Sequence, residues 1–564
     1  MKNLLIIFIS VCIAVMFFSC KNNSKKENEM EKQFNEFLIK HEAVVKPLYK
    51  KLTEAYFTAS ITGEEADYNK AAEYEFEYTK IFTNIDDFEF LKKLKESGEI
   101  KSEVFARTLD VLYNSYLSNQ ADPAKLEEMI KLANEIDRKF STFRANINGK
   151  ELSDNDIEEI LKTSTSSKEV KEAWIAVKEL GPVVADDIKT LVKKRNELAK
   201  SLGFNNYHEM SLKLSDQDPE EITRIFDELD SLTRDNYALL KNEIDEYLAK
   251  KFNIKKEELR PWHYQNRFYQ EAPKMYEVDL DKYYKDKNIE KLTIDYYSSI
   301  GLDITDIIAK SDLYEKPKKN QHAYCIDIDK AGDIRVLCNI KPNYYWMNTM
   351  LHEFGHAVYD KYIDRGLPFA LIDPAHTFTT EAIAMLFGRL GSNAQWMQGM
   401  LGIDEVEKKK IAEEGFKTLR LEQLVFSRWA QVMYRFEKSM YENPDQDLNK
   451  LWWDLVEKYQ LVTRPEGRDM PDWATKSHIA TSPCYYHNYL LGELLASQLN
   501  YYITKNICKN DDYNMQSFYN NKEVGKFLIE KVFNPGAKYH WNTMIEKATG
   551  EKLTAKYYAM QFVK

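Results

Sequence analysis

The stretch His352-Glu353-Phe354-Gly355-His356 sets two histidines four positions apart, with a glutamate directly after the first. On a helix, positions i and i+4 share a face, so both imidazoles can converge on one ion. Imidazole suits zinc, and a catalytic zinc takes three protein ligands and leaves one position for water. Glu353 stands one step round the helix. It is badly placed to ligate beside the histidines but well placed to take a proton from a bound water. The third ligand is expected at Glu381, 25 positions after His356. Its neighbours Ala382, Ile383, Met385, Leu386 and Phe387 are apolar, and a carboxylate in such company needs a partner. These residues predict one Zn2+ per chain, held by His352, His356 and Glu381, with Glu353 as general base. His376, five positions before Glu381, is expected in a loop or supporting the ligands rather than binding the ion. Seven of the ten histidines fall within 263–487, around this segment.

Helices must position these groups, because helical periodicity runs through most of the chain from about Phe34. In EVFARTLDVLYNSYL, Phe105, Leu109, Leu112 and Tyr116 recur at spacings of four, three and four, which places them on one face. Glycine and proline number only 19 and 15 and are scattered. With no internal repeat and no Pro/Gly/Ser linker, residues 34–564 are expected to form a single, mostly α catalytic domain. One passage differs. Residues 323–340, AYCIDIDKAGDIRVLCNI, carry β-branched residues around Lys330-Ala331-Gly332-Asp333 and predict a β-hairpin. With Ala331-Gly332 as a two-residue turn, Cys325 would face Cys338 across the ladder, where a disulfide is possible. A helix is then expected to open near Pro342 and carry the histidine pair.

The chain has 564 residues, 44% of them apolar, enough for a large core. Its formal charge is −11, and Lys and Arg are dispersed, so nothing indicates a nucleic-acid partner. The first twenty residues stand apart. Lys2 precedes an apolar run over residues 4–18, which ends in Phe-Phe-Ser-Cys and turns polar at once. That pattern resembles a bacterial lipoprotein signal. It predicts lipidation at Cys20, a polar tether over 21–33, and export to the cell envelope on a lipid anchor, at the periplasmic face or outer membrane. Beyond Cys12 and Cys20 the chain has Cys325, Cys338, Cys484 and Cys508, too few for a disulfide scaffold.

Four further segments carry a family resemblance. His322-Ala323 lies thirty residues before His352, and TKSHIATSPCYYHNY covers residues 475–489. LWWDLVEKYQL covers 451–461, and ATGEKLTAKYYAMQF lies near the C-terminus. Together with the histidine pair, they resemble the angiotensin-converting-enzyme family of zinc dipeptidyl carboxypeptidases, from about residue 200 onward. The resemblance implies an elongated, nearly all-helical zinc-peptidase fold split by a deep central cleft, with the hairpin beside the metal. It implies that Lys476, Tyr486 and Gln265 hold a substrate's C-terminal carboxylate. It also implies that His322, Ala323 and His478 contact the peptide backbone, and that Tyr489, with His478 nearby, stabilises the oxyanion. An ammonium, a phenol and an amide around a carboxylate make charge-assisted bonds and fix the cleavage point two residues from the end.

The sequence departs from the family pattern in several places. The tyrosine pair is displaced by one position, so Tyr485 competes with Tyr486. The His356-to-Glu381 spacing and His-Glu-Phe-Gly-His itself match thimet-type oligopeptidases. Met385 stands where the family has an aspartate. Asn488 replaces the arginine that binds chloride, so chloride activation is expected to be weak or absent.

The expected function is therefore a zinc metallopeptidase releasing C-terminal dipeptides from peptides with a free C-terminus. A thimet-type oligopeptidase cutting internal bonds is the alternative. A non-catalytic, lipid-anchored peptide-binding protein with a structural zinc is a third reading.

Overall fold

The computed structural model describes residues 29–276 and 278–563. The expected leader and Cys20 lie outside the described residues. Helix α1 (Glu29–Thr62) already begins within the stretch read as a tether. Among the described residues the strands form two antiparallel pairs. One joins β1 (Ala145–Ile147) to β2 (Lys150–Leu152), and the other joins β3 (Tyr324–Asp327) to β4 (Ile334–Leu337). Nearly all other regular structure is helical, as the periodicity requires. No helix of the described residues is long and apolar enough to cross a membrane.

The main core draws on residues from Ala121 to Phe562. A smaller cluster, with Phe34, Leu38, Leu91 and Leu94, joins the N-terminal helices. Within it Leu109, Leu112 and Tyr116 are buried on one face, as their spacing predicts. Phe105 is only half-buried and meets Phe34 edge-on, ring centroids 5.7 Å apart.

Around the site lie α2 (Pro219–Phe252), α3 (Tyr344–Lys361), α4 (Thr377–Gly388), α5 (Glu405–Glu442) and α6 (His487–Tyr502). The start of α2 is written in its sequence: Asp218 accepts from the amides of Glu220 and Glu221, and Pro219 occupies the first turn. Helices α2 and α5 are tied inside the core by Arg428, which donates to Asp230 at 2.5 Å and to the Thr233 hydroxyl. These bonds compensate much of the cost of burying the pair, although Arg428 Nε is left without a hydrogen-bond partner among the described residues.

Helix α3 opens later than expected. Pro342 stands outside it, and the Asn343 side chain caps it by accepting from the Trp346 amide at 2.9 Å. Helix α4 then packs on α3 with almost no spacing. A Cβ at Gly355 would lie 2.8 Å from Ala384 Cα, closer than real side-chain carbons approach. Gly492 stands between α6 and α4, where a Cβ would meet Met385 Sδ at 3.3 Å and Glu381 Cβ at 3.4 Å, close but without the backbone clash of Gly355. Glycine at position 355 is therefore required for the backbones of α3 and α4 to touch where His352, His356 and Glu381 emerge.

The hairpin forms, but not with the expected turn. Cys325 pairs with Val336, and Ile328 closes the loop on Asp333. The loop therefore spans Asp329, Lys330, Ala331 and Gly332. Asp327 accepts from the Lys330 amide at 2.8 Å, and Asp329 accepts from the Ala331 amide at 2.9 Å. Lys330 takes φ of +51° and Gly332 of +110°. These local side-chain bonds outcompete a two-residue turn. Cys325 and Cys338 are thus not opposed, and both are free thiols.

Three neighbouring cavities share wall residues around the site. A cavity of about 450 Å³ beside β3 and one of about 770 Å³ meet at His352. The latter shares Met385, Glu422, Gln423 and Glu493 with a third, of about 570 Å³.

Candidate active site

Helices α3 and α4 bring His352, His356 and Glu381 together. Glu381 lies 3.7 Å from His352 Nε2 and 3.8 Å from His356 Nε2. One donor atom from each residue falls within 4.8 Å of the other two. Tetrahedral zinc with Zn–N bonds of about 2.0–2.1 Å spaces its ligands at roughly 3.4 Å, so this group fits a small divalent ion. Burial pushes His352 down to about 4. Burial and the neighbouring His352 push His356 down to about 3. Both rings are therefore neutral near pH 7 and present lone pairs. His356 Nδ1 lies 2.7 Å from the Thr380 hydroxyl, which orients the ring from outside the ligand set. Thr380 thus supplies the support that Met385 cannot.

Glu353 is 8% exposed and lines the β3-side cavity together with His352, His356 and Glu381. Burial, then the charge of Glu381, raises its carboxyl to about 8. A carboxylate that resists ionisation holds a proton well, the property asked of a group that takes and returns one.

The 570 Å³ cavity collects the residues assigned to substrate. Gln265, Lys476, His478, Tyr486 and Tyr489 all line it. Lys476 is 7% exposed, and its ammonium donates to the neutral Gln270 Oε1 at 2.6 Å. It sits over the rings of Phe268, Trp429 and Tyr486 at 5.1–5.4 Å and makes no ion pair. Burial, then Arg267, pushes it down to about 8. Gln265 is buried, with φ of +60°, and its Oε1 accepts from the Lys274 amide at 3.2 Å. Gln270 is the amide that touches Lys476. Tyr486, not Tyr485, lines this cavity. Tyr489 lines it too, and its hydroxyl is raised by burial and then by the charge of Glu381. His478 Nδ1 is buried without a hydrogen-bond partner.

Other expected residues lie elsewhere. His322 is exposed just ahead of β3, and it is the adjacent Ala323 that lines the 450 Å³ cavity. His376 caps α4, accepting from the Phe378 amide at 3.2 Å. His487 is a core residue, its Nε2 2.7 Å from Gln217 Oε1. Asn488 is buried and accepts from Gln217 at 2.7 Å, so no cation occupies that position. Sequence reasoning missed Gln270 and Thr380. Thr380 had a signal, since it directly precedes Glu381; Gln270 had none, because 206 positions separate it from Lys476.

Removing the Thr380 hydroxyl should loosen the His356 ring. Thr380→Val is expected to weaken zinc affinity about 10- to 100-fold in a chelator competition assay, the usual effect of losing such a support. An unchanged affinity would remove Thr380 from the site.

One curated relative is a thermostable carboxypeptidase 1 from Pyrococcus furiosus, 23% identical over 247 residues, which are 40% of this chain. The match spans about half of that relative, 49% of its length. The family model described as angiotensin-converting enzyme matches residues 28–563, nearly the whole chain. The chain belongs to the angiotensin-converting-enzyme family of peptidases.

Proposed function

We propose that this chain is a zinc-dependent peptidyl-dipeptidase that releases dipeptides from the free C-terminus of oligopeptides. One observation carries the reading. A metal-competent triad and a buried lysine without an anionic partner open on neighbouring cavities, and Tyr489, in the lysine's cavity, feels the charge of Glu381. A zinc ion held by His352, His356 and Glu381 would supply Lewis acidity at the scissile carbonyl and make an attached water acidic. Glu353 receives the proton of the attacking water and returns it to the leaving amine. Tyr489 donates its hydroxyl to the oxygen that gains charge, with His478 beside it. Lys476 binds the terminal carboxylate with help from Tyr486 and the Gln265 and Gln270 amides, which fixes the register of the chain. The β3 edge at Ala323–Asp327 faces the cleft and offers backbone groups to an extended peptide.

Cleavage of internal bonds, as in thimet-type oligopeptidases, is the second reading, favoured by the 25-residue spacing from His356 to Glu381. The two differ in what Lys476 does. Lys476→Ala should reduce kcat/KM for free-carboxylate peptides by about 10- to 100-fold, the worth of a charge-assisted bond, and barely change their amidated counterparts. Equal loss on both would favour the endopeptidase. Glu353→Gln should retain zinc by elemental analysis and lose about 100-fold or more of kcat, the share of a general base. Full activity in that variant would overturn the mechanism.

Export and anchoring through Cys20 complete the proposal, supported by the apolar run that ends at Phe-Phe-Ser-Cys. Intact mass of the mature protein tests it: a diacylated N-terminal Cys20 is expected, and a retained Met1 or an unmodified Cys20 would refute it.

A further inference from the structure

The 450 Å³ cavity lies on the far side of the metal-competent triad from Lys476, and the substrate scheme leaves it unexplained. Its walls carry Asp327, Asp360, Asp373, Glu353 and Glu381, and no Lys or Arg. Two of these acids are already satisfied from outside. Asp327 accepts from Arg365 at 2.9 Å, and Asp373 is paired with Lys330. Two more belong to the reaction, and the dication that His352, His356 and Glu381 would hold balances Glu353 and Glu381. Asp360 remains. It lies in the last turn of α3, four residues after His356, and its carboxylate makes no ion pair among the described residues; the nearby Arg365 pairs with Asp327. The hydrogen bond it accepts comes from the Cys325 thiol, 3.9 Å from Oδ2, a weak donor at long range. The main-chain oxygen of Asp360 takes the second arm of Arg365 at 2.6 Å, so that guanidinium is spent on the backbone and on Asp327. Burial, then the charges of Asp327 and Asp373, lifts the Asp360 carboxyl to about 8 against the opposing pull of Arg365 and Lys330, whose side chains bond other groups.

An enclosed carboxylate facing a cavity without a cation is stabilised when the ligand brings the positive charge. The polarity of the cleft says which part of the ligand that is. With the C-terminal carboxylate at Lys476 and the scissile bond at the triad, the segment N-terminal to that bond must occupy the cavity beside β3. Its backbone would run along the free edge of β3, which places its side chains or its own terminus against Asp360.

We infer that Asp360 is a specificity-determining residue that selects peptides carrying a cation N-terminal to the scissile bond, either a Lys or Arg side chain or the free α-ammonium of a short peptide. This rests on the proposed peptide register. Both sources present the same chemistry, an N–H-rich cation within reach of one acid, and the cavity is large enough for either.

The test uses zinc-loaded full-length protein and matched peptides. One pair differs by Lys against norleucine at the two positions before the scissile bond. The other pair is a tripeptide with a free or an acetylated N-terminus. Both kcat/KM and the equilibrium Kd by calorimetry are measured for wild type and Asp360→Asn. In wild type the cationic member of at least one pair is expected to be favoured about 10- to 100-fold, the size of a bond to a charged group. Asp360→Asn should erase that preference and leave the neutral member unchanged. The responsive pair identifies the side chain or the terminus as the source. Equal handling of both members in both pairs, or a preference that survives Asp360→Asn, would overturn the inference. The Kd comparison separates this from the functional reading: peptides that bind with the expected charge preference yet are not cut would reject the hydrolase and keep the subsite.

Discussion

Contact between the backbones of α3 and α4 is the constraint on which the rest depends. Gly355 lets the helices meet at Ala384, and Gly492 brings α6 against Glu381 from the other side. The two imidazoles and the carboxylate then project into one small volume inside a large helical protein. Burial there keeps both rings neutral and raises both carboxyls, so the group is ill at ease as a set of isolated side chains. A divalent ion resolves that discomfort. The same desolvation that makes the acids costly is what makes an ion worth binding.

Charge along the cleft is arranged as a gradient. Lys476, held by a neutral amide and three aromatic rings, marks one end. Asp360, with only a thiol for a donor, marks the other. Surrounding charges have been neutralised locally, as with Arg365 and Asp327, or Arg389 and Glu493 in the cavity wall. On the proposed reading, an extended peptide with a terminal carboxylate would be drawn in one direction only, before any side-chain fit is considered. The free edge of β3 would then fix its backbone.

The metal-competent group was legible in the sequence because each part of it is local. His352 and His356 are linked by helical period, and Glu381 stands out as an acid in an apolar run. Helix content, the hairpin's existence and the continuous core followed from periodicity and composition. What escaped has a common cause. The hairpin register turned on side-chain bonds from Asp327 and Asp329 that lengthen the loop from two residues to four, so each β3 residue meets a β4 partner two positions earlier than expected. Gln270 reaches Lys476 across 206 positions, and nothing in the irregular segment around it separates it from Gln265. Asp360 sits at the end of a helix like any solvated acid; only folding encloses it beside Asp327 and Asp373.

The placement of Lys476 has a kinetic corollary. In the proposed register it would read a carboxylate at the chain terminus, and the released dipeptide would still carry that carboxylate. Its hydrogen-bond partner is an uncharged amide, and the acids of the same cavity, Glu271 among them, make no ion pair with it among the described residues. On that reading the first product would leave against the same attraction that admitted the substrate. An enzyme of this design would slow itself as dipeptide accumulates, so its throughput would be governed by how quickly its surroundings carry that product away.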